Sequence, residues 1–267
     1  MPKPIIEVCV DSVQSAFKQP SSAVRGGADR LEVCANLGVG GGTTPSLGLL
    51  KAIQKSVDVP LMAMVRPRTG DFLYNSCEIE VMLEDIRVFK QHNVCGVVLG
   101  TLTADGRVDV EVAKRLVDEA LPLQVCFHRA FDMTRDPAEG KSLRDVMKIG
   151  GVTRLLTSGH GRTAFESLDM LKSLCQTTRK CSEEGVLSIL PGSGINSDTA
   201  RIVGPILEAL YPLGITELHL SGASWVEGVM VHRRSGLEMG VGASEWSVWV
   251  TSEAKVRDVR RLVDAAW

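Results

Sequence analysis

Eight short apolar runs recur along this chain at a nearly constant interval, and that spacing limits its fold more than any other feature. They lie at Ile5–Val10, Arg30–Cys34, Leu61–Arg66, Cys95–Gly100, Gln124–Arg129, Arg154–Ser158, Val186–Pro191 and Glu217–Ser221. Successive starts are about 25 to 34 residues apart, the length of one strand, one helix and two loops. Helix-period patterns fill the gaps, roughly at 12–25, 46–56, 78–93, 109–119, 138–149, 163–180, 197–210 and 253–266. Junctions resemble one another: Gly26-Gly27-Ala28-Asp29-Arg30-Leu31 parallels Gly150-Gly151-Val152-Thr153-Arg154-Leu155, with glycine ending a helix before the next strand. Evenly repeated βα units without a break in composition predict one domain over residues 1–267, a (β/α)8 TIM barrel with a long segment after the eighth strand. An open doubly wound sheet is the alternative, but the even spacing favours closure. No G-x-G-x-x-G follows the first strand, which weighs against dinucleotide binding.

Composition narrows the class of function. The net charge is −2 and no basic, aromatic-interleaved patch points to nucleic acid. No apolar run reaches the length of a membrane span, and the N-terminus enters a strand pattern without a signal-peptide core. The 7 cysteines form no C-x-x-C pair, so reduced thiols in the cytoplasm are expected rather than a disulfide framework or a structural zinc site.

In a parallel barrel, chemistry belongs to the interior and to the C-terminal strand ends. Alternation along the first strand sends Glu7 and Cys9 inward, with Ile6, Val8 and Val10 outward. The second strand repeats the tripeptide Glu-Val-Cys and sends Glu32 and Cys34 inward. Two buried carboxylates need cations or protons. Arg66, at the end of the third strand, is the expected partner for one of them or for a substrate anion. The fifth strand ends in His128, Arg129 and Asp132, and the eighth turns His219 inward. Glu7, Glu32, Arg66, His128, Asp132 and His219 are therefore the candidate catalytic set. Two thiols at similar depth, Cys9 and Cys34, suit a soft metal such as Cu(I), although buried free cysteines commonly serve only as small apolar side chains.

Small glycine turns after late barrel strands often hold anions. Ser158, Gly192 and Gly194 are the candidates, with Asn196 or Ser197 capping the following helix. The glycine-rich loop 35–46 is either a second anion receptor or a turn whose Thr44 or Ser46 caps a helix. The segment 223–252 carries Trp225, Trp246 and Trp249. Its period-two pattern at Trp246, Val248 and Val250 predicts a strand-like flap or a subunit contact, hence a homo-oligomer.

Several stretches together resemble the copper homeostasis protein CutC family over nearly the whole length: EVCVDS at 7–12, GGADRLEVC at 26–34, GGTTPS at 41–46, RPRTGDFLY at 66–74, FHRAFDM at 127–133, LLTSG at 155–159 and PGSGI at 191–195. The resemblance implies a (β/α)8 barrel and a role in copper homeostasis, with Cu(I) held by Cys9 and Cys34. Cys126 and Ser193 depart from the family's usual Thr and Gly. Three functions are in view. One is Cu(I) binding and trafficking. Another is acid–base chemistry on a small anionic substrate, phosphorylated or not, at the barrel mouth. The third is a non-catalytic oligomeric role.

Overall fold

The structure is a computed structural model and describes residues 3–16, 22–135, 140–180, 187–195, 200–234, 236 and 245–266. Eight parallel strands form a nearly closed barrel in the order β7-β6-β5-β4-β3-β2-β1-β8. They are β1 (Ile5–Val10), β2 (Arg30–Val33), β3 (Leu61–Met64), β4 (Gly96–Leu99), β5 (Gln124–Phe127), β6 (Val152–Thr157), β7 (Ser188–Pro191) and β8 (Glu217–Leu220). Among the described residues, β7 and β8 share no hydrogen-bonded ladder, so the seam lies between them.

The strands form where the apolar runs predict because both of their faces are buried. The outward side chains, Ile6, Val8, Leu31, Val33, Ala63, Val97 and Phe127 among them, pack under the helices. The inward ones include Cys9, Cys34, Met62, Met64, Val98, Cys126, Leu156 and Leu190, which fill the barrel. Gly96 makes room for this filling, since a Cβ there would lie 2.5 Å from Met62 Cε.

The connections are α1 (Val13–Ala16), α2 (Leu37–Gly40), α3 (Leu47–Gln54), α4 (Ser76–Gln91), α5 (Val110–Ala120), α6 (Lys141–Ile149), α7 (Leu168–Lys180), α8 (Ala200–Leu210) and α9 (Glu253–Ala265). Ser46 caps α3 as the sequence suggests, accepting from the Leu49 N–H, and Asn75 with Glu78 forms a capping box at the start of α4. Thr44 is not a cap; its hydroxyl accepts from the Arg66 N–H. The first crossover differs from the expected helix over 12–25. Its described part holds only the single turn α1, then a turn through Gly26 and Gly27. Here α9 occupies the space, for a Cβ on Gly26 would sit 2.6 Å from Val256 Cβ. Between β8 and α9, β9 (Ala223–Glu227) and β10 (Ser247–Thr251) pair antiparallel, which is the strand-like flap expected there.

Candidate functional site at the barrel mouth

Strand register dictates the floor of the site. Glu7 lies beside Arg30 on β2 and beside His219 on β8, and Cys9 lies beside Glu32. Inward-pointing neighbours at the same level must meet. Arg30 Nε donates to Glu7 at 2.5 Å, and its other end pairs with Glu217. Arg154 Nε reaches Glu217 at 2.9 Å. On the opposite side, His219 Nδ1 is 2.8 Å from Glu7 Oε1 and its Nε2 is 3.7 Å from Glu32 Oε2. The cation for Glu7 is thus Arg30, not Arg66 as expected. Arg30 and Arg154 went unassigned in the sequence, yet Arg30 alternates in phase with Glu32 and Cys34.

These contacts set the charge states. Burial alone would raise the Glu7 pKa, but the His219 hydrogen bond and the Arg30 charge outweigh it and hold it at about 2. Glu32 lacks such partners; burial, opposed by His219 and reinforced by the Glu7 charge, pushes it up to about 7. Burial opposes charge on His219, yet Cys9, Glu32 and Glu7 raise its pKa well above the usual value. Burial also raises the Cys9 thiol, so at neutral pH the carboxylates rather than a thiolate hold the imidazolium.

Above the floor opens a cavity of about 480 Å³, within the usual range for small-molecule sites. Cys9, Glu32 and His219 form its base, Arg66, Phe72 and His128 one wall, and the turns after β7 and β8 with Trp249 and Lys255 the other. Arg66 donates to the carbonyls of Gly40, Gly42 and Gly70, at 2.7, 2.9 and 3.1 Å, and stacks over Phe72. The glycine-rich loop therefore turns carbonyls toward an arginine. His128 Nδ1 accepts from the Ala130 N–H, which leaves Nε2 as the protonated nitrogen. Burial and then the Arg66 charge depress its pKa to about 3, so the ring is a neutral donor. Gly100 gives it space: a Cβ there would lie 2.5 Å from Nδ1.

The remaining expected residues are placed elsewhere. Asp132 accepts from Thr157, from the N–H groups of Ser158 and His160, and from Arg129, so it clamps the loops after β5 and β6 and does not line the cavity. Ser158 is consumed by the same clamp, its hydroxyl donating to the Gly161 carbonyl at 2.6 Å. The Gly192 N–H donates to the Thr157 carbonyl, whereas Gly194 does line the cavity. Asn196 and Ser197 lie outside the described residues. Cys9 Sγ, one Glu32 oxygen and one His219 nitrogen lie within 4.8 Å of one another, a possible metal triad. Cys34 is outside that triad and fully buried, with its thiol 4.0 Å from the Glu32 carbonyl. Lys255 escaped sequence reasoning because it begins a helix far along the chain, and only folding brings it to the mouth.

The comparisons agree with this architecture. A family model described as CutC family matches residues 4–224. A Homo sapiens protein named "Copper homeostasis protein cutC homolog" is 43% identical over 260 residues, 97% of this chain and 88% of its own. A CutC family protein of Histophilus somni is 38% identical over 96% of this chain and 98% of its own. Among solved structures, the putative copper homeostasis protein CutC from Streptococcus agalactiae superposes with a TM-score of 0.67 at 26% identity, covering 81% of this chain and 97% of that one. A dihydrodipicolinate synthase from Bacillus anthracis, at 12% identity and a TM-score of 0.53, covers 83% of this chain and 71% of its own and shares the fold alone. A nearly closed run of eight parallel strands, the doubled Glu-Val-Cys at its floor and relatives alike over almost the entire length lead to one assignment: the chain belongs to the CutC family.

Proposed function

We propose that the protein binds copper as Cu(I) at the floor of the barrel mouth and serves copper homeostasis by holding or passing on that ion. The observation that carries this reading is the buried triad of Cys9, Glu32 and His219, with its ligand atoms within 4.8 Å and a cavity leading to it. Thiolate and imidazole are the soft donors Cu(I) prefers, and Cys9 with His219 offers one of each. Cys34, two residues beyond Glu32 and fully buried, is a second thiol outside the triad. Binding displaces both the Cys9 thiol proton that burial retains and a proton of the His219 imidazolium, so affinity rises with pH. The free thiols support a reducing compartment, the cytoplasm. No helix among the described residues is long and apolar enough to cross a membrane. The reading extends to self-association: the β9–β10 ribbon and the residues just after β9 expose Trp225, Val226, Val229, Met230, Val231 and Val248, with Val229 at 99%. Light scattering that finds only monomers at micromolar concentration removes that part.

Anaerobic titration with Cu(I) against a competing chelator tests the metal site. The parent is expected to take up one ion tightly and Cys9→Ser to lose most of that affinity, with Cys34→Ser losing less. Unchanged affinity in Cys9→Ser/Cys34→Ser overturns the reading.

A second reading, acid–base chemistry on a small anionic substrate, is favoured by a separate observation. Glu32 Oε1, Arg66 Nε, His128 Nε2 and Trp249 Nε1 are buried without a hydrogen-bond partner among the described residues, and all four side chains line the one cavity. Such atoms typically cost about 1–3 kcal/mol each, which the polar groups of a bound ligand would offset. Here Glu32 transfers the proton and His128 donates to the substrate oxygen. Exchange of substrate hydrogen with deuterated water, followed by NMR on small keto and hydroxy acids, is expected from the parent and not from Glu32→Gln. Equal exchange by both removes this role.

A further inference from the structure

We infer that the barrel mouth is a binding site for a small oxyanion carried on a hydroxylated skeleton, with Lys255 as its anchoring cation. This deepens the acid–base reading and is independent of the metal.

The first support is the charge of the walls. Among the described residues lining the cavity, Glu32 is the sole carboxylate, against Arg66, Arg129, Lys255 and the His219 imidazolium, which Glu7 and Glu32 already hold. Arg129 is neutralised by Asp132 at 2.8 Å. Arg66 is held by neutral carbonyls, so its charge is not cancelled. Lys255 has no carboxylate within ion-pair distance among the described residues, although most cations of the chain have found one. A cleft lined with uncancelled positive charge attracts an anion.

The second support is the placement of Lys255. Its backbone belongs to the first turn of α9, where the Ser252 side chain caps the Lys255 N–H. The Ser252 N–H donates to the Gly222 carbonyl at 3.0 Å, and the Thr251 N–H to the Ser15 hydroxyl at 3.1 Å. The root of the lysine is thus pinned against the turn after β8 while its flexible stem reaches the cavity. Ser193, Gly194, Ser221 and Gly222 border the same space and leave room for a headgroup. Parallel barrels commonly bind phosphate between these two turns and a nearby helix start.

The third support is the opposite wall. His128 is 4% exposed and presents a neutral ring whose Nε2 lacks a partner among the described residues; Arg66, 7% exposed, has the same deficit at Nε. These donors match further oxygens of a ligand, and the unpartnered Glu32 Oε1 matches a hydroxyl. Phosphate and carboxylate share the headgroup chemistry, and the test separates them.

Chelator-treated protein is titrated with glycerol 3-phosphate, glycerate and glycerol, read by calorimetry and by tryptophan fluorescence, since Trp249 lines the site. One of the two anions is expected to saturate at millimolar concentration or below, and glycerol not to. Competition by inorganic phosphate identifies phosphate as the headgroup, and its absence identifies carboxylate. Lys255→Met should weaken binding at least about tenfold, the usual worth of a charge-assisted contact. Lys255→Arg should keep most of it, and Lys114→Met, at an exposed lysine on α5, should change nothing. Lys255 is half-exposed on a helix, so its replacement leaves the fold intact. Anions that bind no better than glycerol, or that bind Lys255→Met as tightly as the parent, overturn the inference. Lys255-dependent binding upholds it whether or not the probe is turned over, so the acid–base reading fails or stands by its own exchange experiment.

Discussion

Glu7 sits between Arg30 and His219 because the strand register leaves it no other neighbours. Removing its charge leaves two buried cations facing a neutral amide. Glu7→Gln is therefore expected to cost about 3–5 kcal/mol, measured by urea unfolding at pH 7. Glu32 behaves oppositely. Its pKa is raised from 4.5 to about 7, so the folded state holds the extra proton in that window and stability falls as pH rises through it. The pKa of His128 is depressed from 6.5 to about 3, so the unfolded state holds the extra proton there and stability rises with pH. The two slopes cancel where they overlap, between 4.5 and 6.5. Glu32→Gln should expose the His128 slope alone: metal-free variant gains on the order of 1 kcal/mol per pH unit across that window, while the parent stays flat. A flat variant means that His128 is not held neutral by the fold.

At the scale of elements, the β9–β10 ribbon covers the mouth from one side and depends on a close approach. Trp225 and Trp249 are cross-strand partners, 5.4 Å between ring centroids, and both press on Gly38 in α2. A Cβ at Gly38 would lie 2.8 Å from Trp225. Gly38→Ala should shift the ribbon, alter the near-ultraviolet signal of the tryptophan pair and destabilise by about 1–3 kcal/mol. An unaltered spectrum means that the ribbon does not rest on the loop. Elements were largely readable from the chain because strands buried on both faces leave continuous apolar runs, and period-two alternation then separated Glu7, Cys9, Glu32 and His219 from the outward residues. What alternation could not show is how loops fold back. Asp132 looked like part of a catalytic cluster with His128, but the N–H groups that its carboxylate captures belong to the next βα loop. Arg66 looked like a partner for the glutamates, but the local turn brings three carbonyls closer. Lys255 carried no signal at all, because its position depends on α9 docking beside β8.

At the scale of the molecule, the barrel encloses its charges, and acid is where that shows. Arg30, Glu7, Glu217, Arg154 and His219 form one buried network across the floor, tying strands from both ends of the chain. Arg260 repeats the theme outside: α9 is bound to Asp29 at 2.9 Å and to the Pro4 carbonyl at 3.1 Å. Between pH 4.5 and 6.5 the protons that His128 costs and Glu32 returns offset each other, so stability changes little. Below 4.5 Glu32 is protonated in both states and no longer compensates. Glu7, held at about 2, then joins His128, held at about 3, and the unfolded chain binds about two more protons than the barrel. Stability should fall on the order of 2–3 kcal/mol per pH unit from 4.5 toward 3, twice the single-group slope. On the alkaline side the thiols of Cys34 and Cys126, raised well above their usual value by burial, stay protonated in the fold while the unfolded chain releases those protons. Stability therefore declines again above about 9, the usual thiol range. Urea unfolding of metal-free protein across pH 3 to 10 is expected to trace a steep acid edge, little change between 4.5 and 6.5, and a decline above 6.5, where His219 in the fold keeps a proton that the unfolded chain gives up. A shallow, single-proton acid edge would mean that the Glu7 network is not held in its charged form by the barrel, and the geometry of the floor would have to be different from that described.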